Sequence, residues 1–231
     1  MTLGLRDYKF DGPMEPKVWR ADRGTVEEVS YRIEEGRLFV DLKLERDDAV
    51  FVVLQGKAKH KSFAAPIKTP ITEEHLFSSN WSVRFVPAID PEKTEDYDFD
   101  HLYAWNESQD PFIRFFSGTA TYRTSFRWSP DPEASEAVLD LGKVFNMAHV
   151  YVNGKDLGLL WKEPYKMDIS EALVEGDNTL EIKVTNSWGN QLIGDSALPM
   201  EERVARTSWE FYSPDDPLPV SGLIGPVRIV R

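Results

Sequence analysis

The stretch from Val138 to Asp195 reads VLDLGKVFNMAHVYVNGKDLGLLWKEPYKMDISEALVEGDNTLEIKVTNSWGNQLIGD, and it decides the fold of this chain. Apolar and polar residues alternate in three short runs within it, at positions 139–141, 148–152 and 180–184. Alternation with a period of two is typical of half-buried β-strands. Asn153-Gly154 favours a tight hairpin because both residues accept positive φ angles, and Gly176-Asp177-Asn178 favours a second reversal. The stretch therefore predicts antiparallel β-sheet.

The same kind of pattern extends along the rest of the chain. Residues 26–33 and 38–45 predict a hairpin around Glu34-Glu35-Gly36, and the continuous apolar run AVFVVLQ at 49–55 predicts a buried strand. Further strands are predicted at 80–86, at 227–230, and twice within 112–128 on either side of Ser117-Gly118. The segments 88–110 and 196–218 are turn-rich and predict loops. Many short strands with almost no helix favour an all-β sandwich over an α/β fold.

A polar, proline-punctuated segment divides the chain. Residues 57–75 predict a linker, so we expect a small β-sheet domain at 1–56 and a β-sandwich at 76–231. Three strands in the first domain make a thin sheet, which needs a partner surface to bury its apolar face.

Several segments of the second domain resemble known proteins. A strand followed by VNG at 152–154, then GLLW at 158–161, PYKMDI at 164–169 and GDNTLEIKVTN at 176–186, resembles the jelly-roll, galactose-binding-like sandwiches attached to many glycoside hydrolases, including family 2 sugar-binding domains. The more specific segments are FIRFFSGTATYRTSF at 112–126, TNSWGNQLIGD at 185–195 and SGLIGPV at 221–227. In this order they resemble the C-terminal region of large bacterial hydrolases of the α-L-rhamnosidase type, family 106 and its relatives.

The resemblance implies a jelly-roll fold for residues 76–231 and a periplasmic or extracellular location. It also implies that residues 1–56 are the C-terminal strands of a larger β-domain that follows a catalytic barrel, so we expect the chain to begin inside a domain. In the resembled enzymes the catalytic carboxylates belong to that barrel. The expected partners are accordingly a carbohydrate or the barrel of the parent enzyme.

Composition narrows the function classes further. The chain has 231 residues, a formal charge of −12 and no cysteine. Such acidity argues against nucleic acid or an anionic membrane surface as a partner, and no apolar run approaches the length of a membrane span. No cofactor is required by any motif. A structural calcium ion is an open alternative, because the acidic segment 90–100 supplies oxygen ligands without EF-hand spacing.

No motif of an independent enzyme occurs. The chain lacks a G-x-S-x-G elbow, a phosphate loop and an H-E-x-x-H pair, and its four histidines have no metal-ligand spacing. We therefore assign no catalytic residue. The sequence favours a non-catalytic, carbohydrate-binding accessory domain of a glycoside hydrolase. A purely structural domain that packs on the barrel and an independent glycosidase are the alternatives.

The candidate binding residues lie in the segment 186–195. We expect Trp188, Asn190 and Asp195 to face the sugar or the rim of the barrel, supported from behind by Asn186. Gly189 and Gly194 are expected to let the loop turn sharply. The alternative is that Asn190 and Asp195 only tie the loop to its neighbours. The aromatic side chains of Trp161 and Tyr165 are further candidates, although packing, in a core or over a sheet edge, is the favoured interpretation for Trp161.

Overall fold

The computed structural model describes residues 2–5, 14–66, 74–77, 80–130 and 136–231. The chain divides into two compact units, Met1–Pro70 and Ile71–Arg231. No helix within the described ranges is both long enough and apolar enough to cross a membrane.

The first unit consists of antiparallel strands in two sheets. They are β1 (Thr2–Leu5), β2 (Met14–Arg20), β3 (Thr25–Glu28), β4 (Tyr31–Glu34), β5 (Arg37–Asp41), β6 (Phe51–Lys57) and β7 (Ser62–Phe63). One sheet has the order β1-β5-β4-β7 and the other β3-β2-β6. A small core of Val18, Val29, Val40 and Leu42 draws on strands from both sheets. The predicted turn at Glu34–Gly36 is confirmed, since Glu35 and Gly36 take φ values of 50° and 75° between β4 and β5.

Two strand predictions in this unit are wrong. The run 26–33 is not one strand, because β3 and β4 belong to different sheets and are separated around Ser30. The apolar run at 49–55 is not a buried strand either. It forms most of β6, the edge strand of a three-stranded sheet, in which no residue is fully buried and Phe51 is 64% exposed.

The predicted linker contributes to this unit where it is described. Ser62 and Phe63 pair with Arg32 and Tyr31 of β4, and the Phe63 ring stacks on Tyr31 at 6.1 Å. Residues 67–73 of the same segment lie outside the described residues. The domain boundaries at 56 and 76 stay a prediction.

The second unit is a β-sandwich. Its strands are β8 (Glu74–Phe77), β9 (Trp81–Pro87), β10 (Glu95–Phe99), β11 (Gly118–Trp128), β12 (Val138–Asp140), β13 (Lys143–Phe145), β14 (Met147–Val152), β15 (Lys155–Leu160), β16 (Lys166–Asp168), β17 (Gly176–Thr185), β18 (Gly222–Gly225) and β19 (Val227–Val230). The larger sheet has the order β10-β9-β11-β17-β14-β15, and the smaller sheet β16-β12-β19-β8. Strands β13 and β18 form a separate pair.

The alternating runs behave as the sequence predicts. Leu139 of the smaller sheet and Val150 and Ile182 of the larger sheet are fully buried in one core. Asn153 and Gly154, at φ values of 52° and 76°, join β14 to β15 as the expected hairpin. The strand at 227–230 is confirmed as β19, which pairs with β12 and β8. The chain is therefore an all-β sandwich protein, as its sequence predicts.

Three segments of this unit differ from the prediction. Residues 112–128 form only one strand, β11, because helix α1 (Pro111–Arg114) precedes it, with Pro111 in its first turn and Asp110 Oδ1 accepting from the Phe112 amide at 2.9 Å. The predicted loop 88–110 contains β10. The reversal near Gly176 lies earlier than expected, because β17 begins at Gly176 and the Asn178 side chain bonds the backbone of Val174.

Candidate functional site

One end of the sandwich is organised around Asn146, the residue before β14. Its backbone amide donates to the Thr185 carbonyl at 3.1 Å. Its own carbonyl accepts from the Tyr165 hydroxyl at 2.7 Å, and its Oδ1 accepts from the Ser187 amide at 3.0 Å. Asn146 therefore joins the segment 161–165 to the segment 186–188, which hold most of the predicted site residues. We call this region the Asn146 end.

Two exposed indoles flank this end. Leu160, the last residue of β15, pairs with Ala148 of β14, and Met147 of β14 pairs with Thr185 of β17. Trp161 follows Leu160 and therefore lies near the level of Met147. Two strand spacings separate β15 from β17, about 10 Å. Trp161 is 53% exposed and Trp188 is 48% exposed, so the interpretation of Trp161 as a core residue is wrong. Leu160 ends β15, and the chain leaves the sheet at that point.

Tyr165 has a different role from the two tryptophans. Its side chain is buried, and its hydroxyl is used in the bond to Asn146. Burial raises the pKa of this phenol, and the nearby Glu163 raises it further. The hydroxyl therefore remains a donor at neutral pH. Tyr165 holds the Asn146 end together and presents no aromatic face to solvent.

Asn186 is also engaged within the fold. Its Oδ1 accepts from the Gly118 amide at 3.0 Å, and its Nδ2 donates to the Phe116 carbonyl at 2.8 Å. Ser117 adds a bond from its hydroxyl to the Ser187 carbonyl at 3.0 Å. These contacts fix the segment before Trp188 to the start of β11.

The rest of the predicted loop is helical. Residues Gly189–Ser196 form α2, which follows Trp188, and its buried face carries Asn190, Ile193 and Asp195. Asn190 Nδ2 donates to Ser221 Oγ at 3.0 Å. The arrangement favours the alternative that Asn190 and Asp195 tie the segment to its neighbours, because their side chains are almost fully buried.

The glycines of α2 serve close packing instead of a sharp turn. A Cβ on Gly194 would lie 2.8 Å from the Phe115 ring, and one on Gly189 would lie 3.1 Å from Pro219. Neither has a positive φ. The expectation of a turn at these positions is wrong because helix packing against bulky neighbours also selects glycine.

Asn146, the residue that joins the segments 161–165 and 186–188, was not identified from the sequence. It is exposed, and no hydrogen bond of its Nδ2 occurs among the described residues. The available signal was a single polar residue between Phe145 and the alternating strand β14, which is too weak to select by pattern alone.

Three carboxylates of the acidic segment 90–100 contact basic side chains. Arg84 contacts Asp96 through two bonds of 2.7 and 2.8 Å and holds the pKa of that carboxyl below its usual value. Lys93 lies 3.1 Å from Asp90, and His101 lies 2.6 Å from Asp100. No group of three or more potential metal ligands occurs in the part of the chain that the structure describes.

Comparison with known proteins defines the class of this fold. Residues 97–211 match the family described as glycosyl hydrolase 2 galactose-binding domain-like. A rhamnosidase from Novosphingobium sp. PP1Y superimposes with a TM-score of 0.81 at 35% identity, over 98% of this chain. A putative beta-glucuronidase from Formosa agariphila is 34% identical over 194 residues, 73% of this chain.

The chain thus carries a galactose-binding-like sandwich of the kind found in glycoside hydrolases. Residues 97–211 are similar to the glycosyl hydrolase 2 galactose-binding domain-like family. The predicted resemblance to rhamnosidase-type hydrolases is confirmed. The chain spans only 21% of the rhamnosidase and 16% of the putative beta-glucuronidase.

Proposed function

We propose that this chain is a non-catalytic, carbohydrate-binding accessory domain of a glycoside hydrolase and that it binds sugar at the Asn146 end. The observation that carries the proposal is the pair of half-exposed indoles, Trp161 and Trp188, on the two segments that Asn146 joins. The names of the relatives, a rhamnosidase and a putative beta-glucuronidase, support a parent enzyme that acts on glycosides.

The chemistry of the end suits a sugar ring. The apolar C–H face of a pyranose stacks on indole, which combines a large apolar surface with one polar atom. The side-chain amide nitrogen of Asn146, Nδ2, adds a donor for a ring hydroxyl. Because the Asn186 and Tyr165 contacts hold both segments, little side-chain or loop ordering is needed on binding.

The same region offers no catalytic pair. Glycoside hydrolysis uses two carboxyl groups roughly 5 to 10 Å apart, one on each side of the scissile bond. The segments 161–165 and 186–195 contain two acids, Glu163 and Asp195. Both oxygens of Asp195 accept bonds from the protein, which leaves one carboxyl group instead of a pair. We therefore expect binding without turnover at this end.

Calorimetric titration with methyl α-L-rhamnoside and methyl β-D-glucuronide tests the proposal. We expect at least one sugar to bind and Trp161→Ala and Trp188→Ala each to weaken that binding tenfold or more. Trp209→Ala is the matched control, since Trp209 is 70% exposed but lies outside both segments. Absence of binding to both sugars, or equal losses in all three variants, would reject the Asn146 end as the site.

A structural role is the second candidate, and one specific observation favours it. The segment from Leu198 to Val220 exposes several large apolar side chains, with Met200 at 55%, Trp209 at 70% and Phe211 at 72%. Exposed apolar patches of this kind often mark contacts with another domain. If the chain binds no sugar but a triple variant, Met200→Ser, Trp209→Ser and Phe211→Ser, abolishes its association with a separately produced catalytic barrel, the structural role is correct.

The independent glycosidase is tested by hydrolysis of an aryl α-L-rhamnoside and an aryl β-D-glucuronide. We expect no turnover by the purified chain. Activity that survives repurification and disappears with one carboxylate substitution would overturn the non-catalytic assignment.

A further inference from the structure

We infer that the chain has a second ligand site, a groove across the outer face of the larger sheet that takes a neutral oligosaccharide. This inference goes beyond the proposed function because the groove lies elsewhere. Tyr151, which lines it, is four residues along β14 from Met147, about 13 Å at the rise of a β-strand. The groove and the Asn146 end can therefore be tested separately.

The shape of the groove suits an extended chain. It has a volume of about 930 Å³. Five adjacent strands, from β10 to β14 in the order of the larger sheet, contribute to its floor, and they span about 19 Å across the sheet. The polar lining residues include Asp98, Ser82, Ser125, Thr179, Glu181 and Tyr151. A ligand that runs across the strands would contact all of these residues, whereas a single sugar ring would contact only a few.

The charges of the lining favour a neutral ligand. Arg123 and Glu181 lie opposite each other on β11 and β17, and the Arg123 Nε–Glu181 Oε2 distance is 2.6 Å. The arginine is therefore engaged by a carboxylate. Asp98, also in the lining, makes no ion pair within the described ranges. Glu181 also lies 3.3 Å from Lys183 Nζ, so one carboxylate engages both cations and the charges of the four groups sum to zero. A uronate or phosphate group would have to compete with Glu181 for these cations, whereas Asp98 and Glu181 accept hydrogen bonds from hydroxyl groups.

Tyr151 supplies an aromatic surface at one end of the groove. The His149 ring stacks on it at 4.7 Å, and Lys183 Nζ lies 4.5 Å from its centroid. His149 and Lys183 are paired residues of β14 and β17, on one side of Tyr151 along the strand. The groove residues Gly154 and Thr179 lie on its other side. The two contacts hold the ring in place, and the side toward the groove is the one that a sugar would stack on.

The same lining argues against a protein partner. The centre of a protein interface is depleted of charged residues and enriched in aromatic and apolar ones. This floor instead alternates hydroxyl groups with charges, from Ser82 and Asp98 on one side to Thr179 and Glu181 on the other. Closely spaced hydroxyls and carboxylates match the repeated hydroxyl groups of a glycan.

Titration of the full chain with cellohexaose, xylohexaose, mannohexaose and hexagalacturonate tests the inference. We expect at least one neutral hexaose to bind more tightly than hexagalacturonate and to shift the amide resonances of Ser82, Ser125 and Tyr151. Ser125→Arg places a long side chain into the groove from an exposed position and should weaken binding at least tenfold. The matched control is Ser208→Arg, also exposed and outside the groove, which should leave binding unchanged.

The amide resonance of Trp188 separates this site from the Asn146 end, since a hexaose bound in the groove should not shift it. The inference is overturned if no neutral hexaose binds, if hexagalacturonate binds as tightly as the best of them, or if Ser125→Arg and Ser208→Arg have equal effects. It is also overturned if the hexaose shifts the amide resonance of Trp188 but not those of Ser82, Ser125 and Tyr151. None of these outcomes decides whether the Asn146 end binds monosaccharides.

Discussion

Asp195 Oδ2 accepts a hydrogen bond from the backbone amide of Ala205 at 2.6 Å, and both residues are almost fully buried. The other oxygen, Oδ1, accepts from Gln191 Nε2 at 2.9 Å, one turn earlier in α2. The acid of the segment 186–195 thus joins the helix to the chain that follows it. Its environment is that of a residue that stabilises the fold.

Asp195→Ala should destabilise the chain by about 1–3 kcal/mol, because the buried Ala205 amide loses its acceptor. For a protein of this size each kcal/mol lowers the melting temperature by about 2–4 °C. Chemical and thermal denaturation measure the effect. Asp177→Ala is the control at an exposed position of β17, and a loss no larger than that of the control would contradict the buried role.

Trp188→Ala and Asn190→Ala should behave differently although they are two residues apart. Trp188 is half-exposed, so its loss should change the free energy of unfolding by about 0.5 kcal/mol or less. Asn190 is 1% exposed and bonds Ser221, so its truncation should cost about 1–3 kcal/mol. Urea denaturation of both variants gives the comparison. Large and equal losses would mean that Trp188 is also part of the scaffold.

The sequence predicts most of the sandwich because a period of two is a local signal. Leu139, Val150 and Ile182 alternate with polar neighbours, and each occupies the core as expected. The failures arise where the outcome depends on contacts between distant parts of the chain. The apolar character of Phe51 does not reveal that β6 lies at an edge, because edge position depends on which strands pair. Whether an apolar strand is buried or lies at an edge is decided by tertiary contacts.

The sequence predicts which segments contain the candidate site residues, but it does not predict the role of each residue. The segments 161–165 and 186–195 do contain the exposed indoles of Trp161 and Trp188. Their relation to each other depends on Asn146, which a linear pattern does not select. The helical state of 189–196 was hidden because its two glycines suggest a loop, whereas Gly194 is required by contact with Phe115.

Gly194→Ala should therefore destabilise the protein although alanine is the better helix former. The new Cβ would lie 2.8 Å from Cγ and Cδ1 of Phe115, and overpacking of this kind typically costs about 1–3 kcal/mol. Phe115→Ala in the same chain removes Cγ and Cδ1 and should relieve part of the loss, which a double-mutant cycle measures from the unfolding free energies. A stabilised Gly194→Ala variant would contradict the close packing.

Lowering the pH should remove the contribution of the Asp140 carboxylate to the free energy of unfolding. Burial alone raises the pKa of this carboxyl, but the Gly142 amide, Lys166 at 3.1 Å and Arg228 at 3.0 Å outweigh it, so the pKa lies below the ordinary 3.8. A carboxyl with a lowered pKa in the folded state stabilises the fold fully above its unfolded pKa, and the stabilisation is lost as the pH falls through the folded value.

The expected result for Asp140→Asn is a stability difference from the parent that is largest at neutral pH and shrinks below about pH 3.8. Unfolding free energies measured from pH 7 to pH 2 test this. Asp177→Asn, at an exposed position, is the control and should change the unfolding free energy by about 0.5 kcal/mol or less. A difference for Asp140→Asn that is constant with pH would show that its charge does not stabilise the fold.

Tyr165→Phe removes one hydroxyl from the Asn146 end and leaves the ring in place. The bond from Tyr165 to the Asn146 carbonyl measures 2.7 Å, and its loss should cost about 0.5–1.5 kcal/mol in unfolding free energy. Since the same bond ties the segment of Trp161 to that of Trp188, affinity for a sugar bound between the indoles should fall as well. Tyr103→Phe is the matched control, because the Tyr103 ring stacks on Phe99 while no hydrogen bond of its hydroxyl occurs in the described part of the chain. Unfolding and calorimetric titration are measured on both variants. If Tyr165→Phe loses stability but keeps full affinity, the tie through Asn146 supports the fold alone, and the two indoles are positioned independently of it.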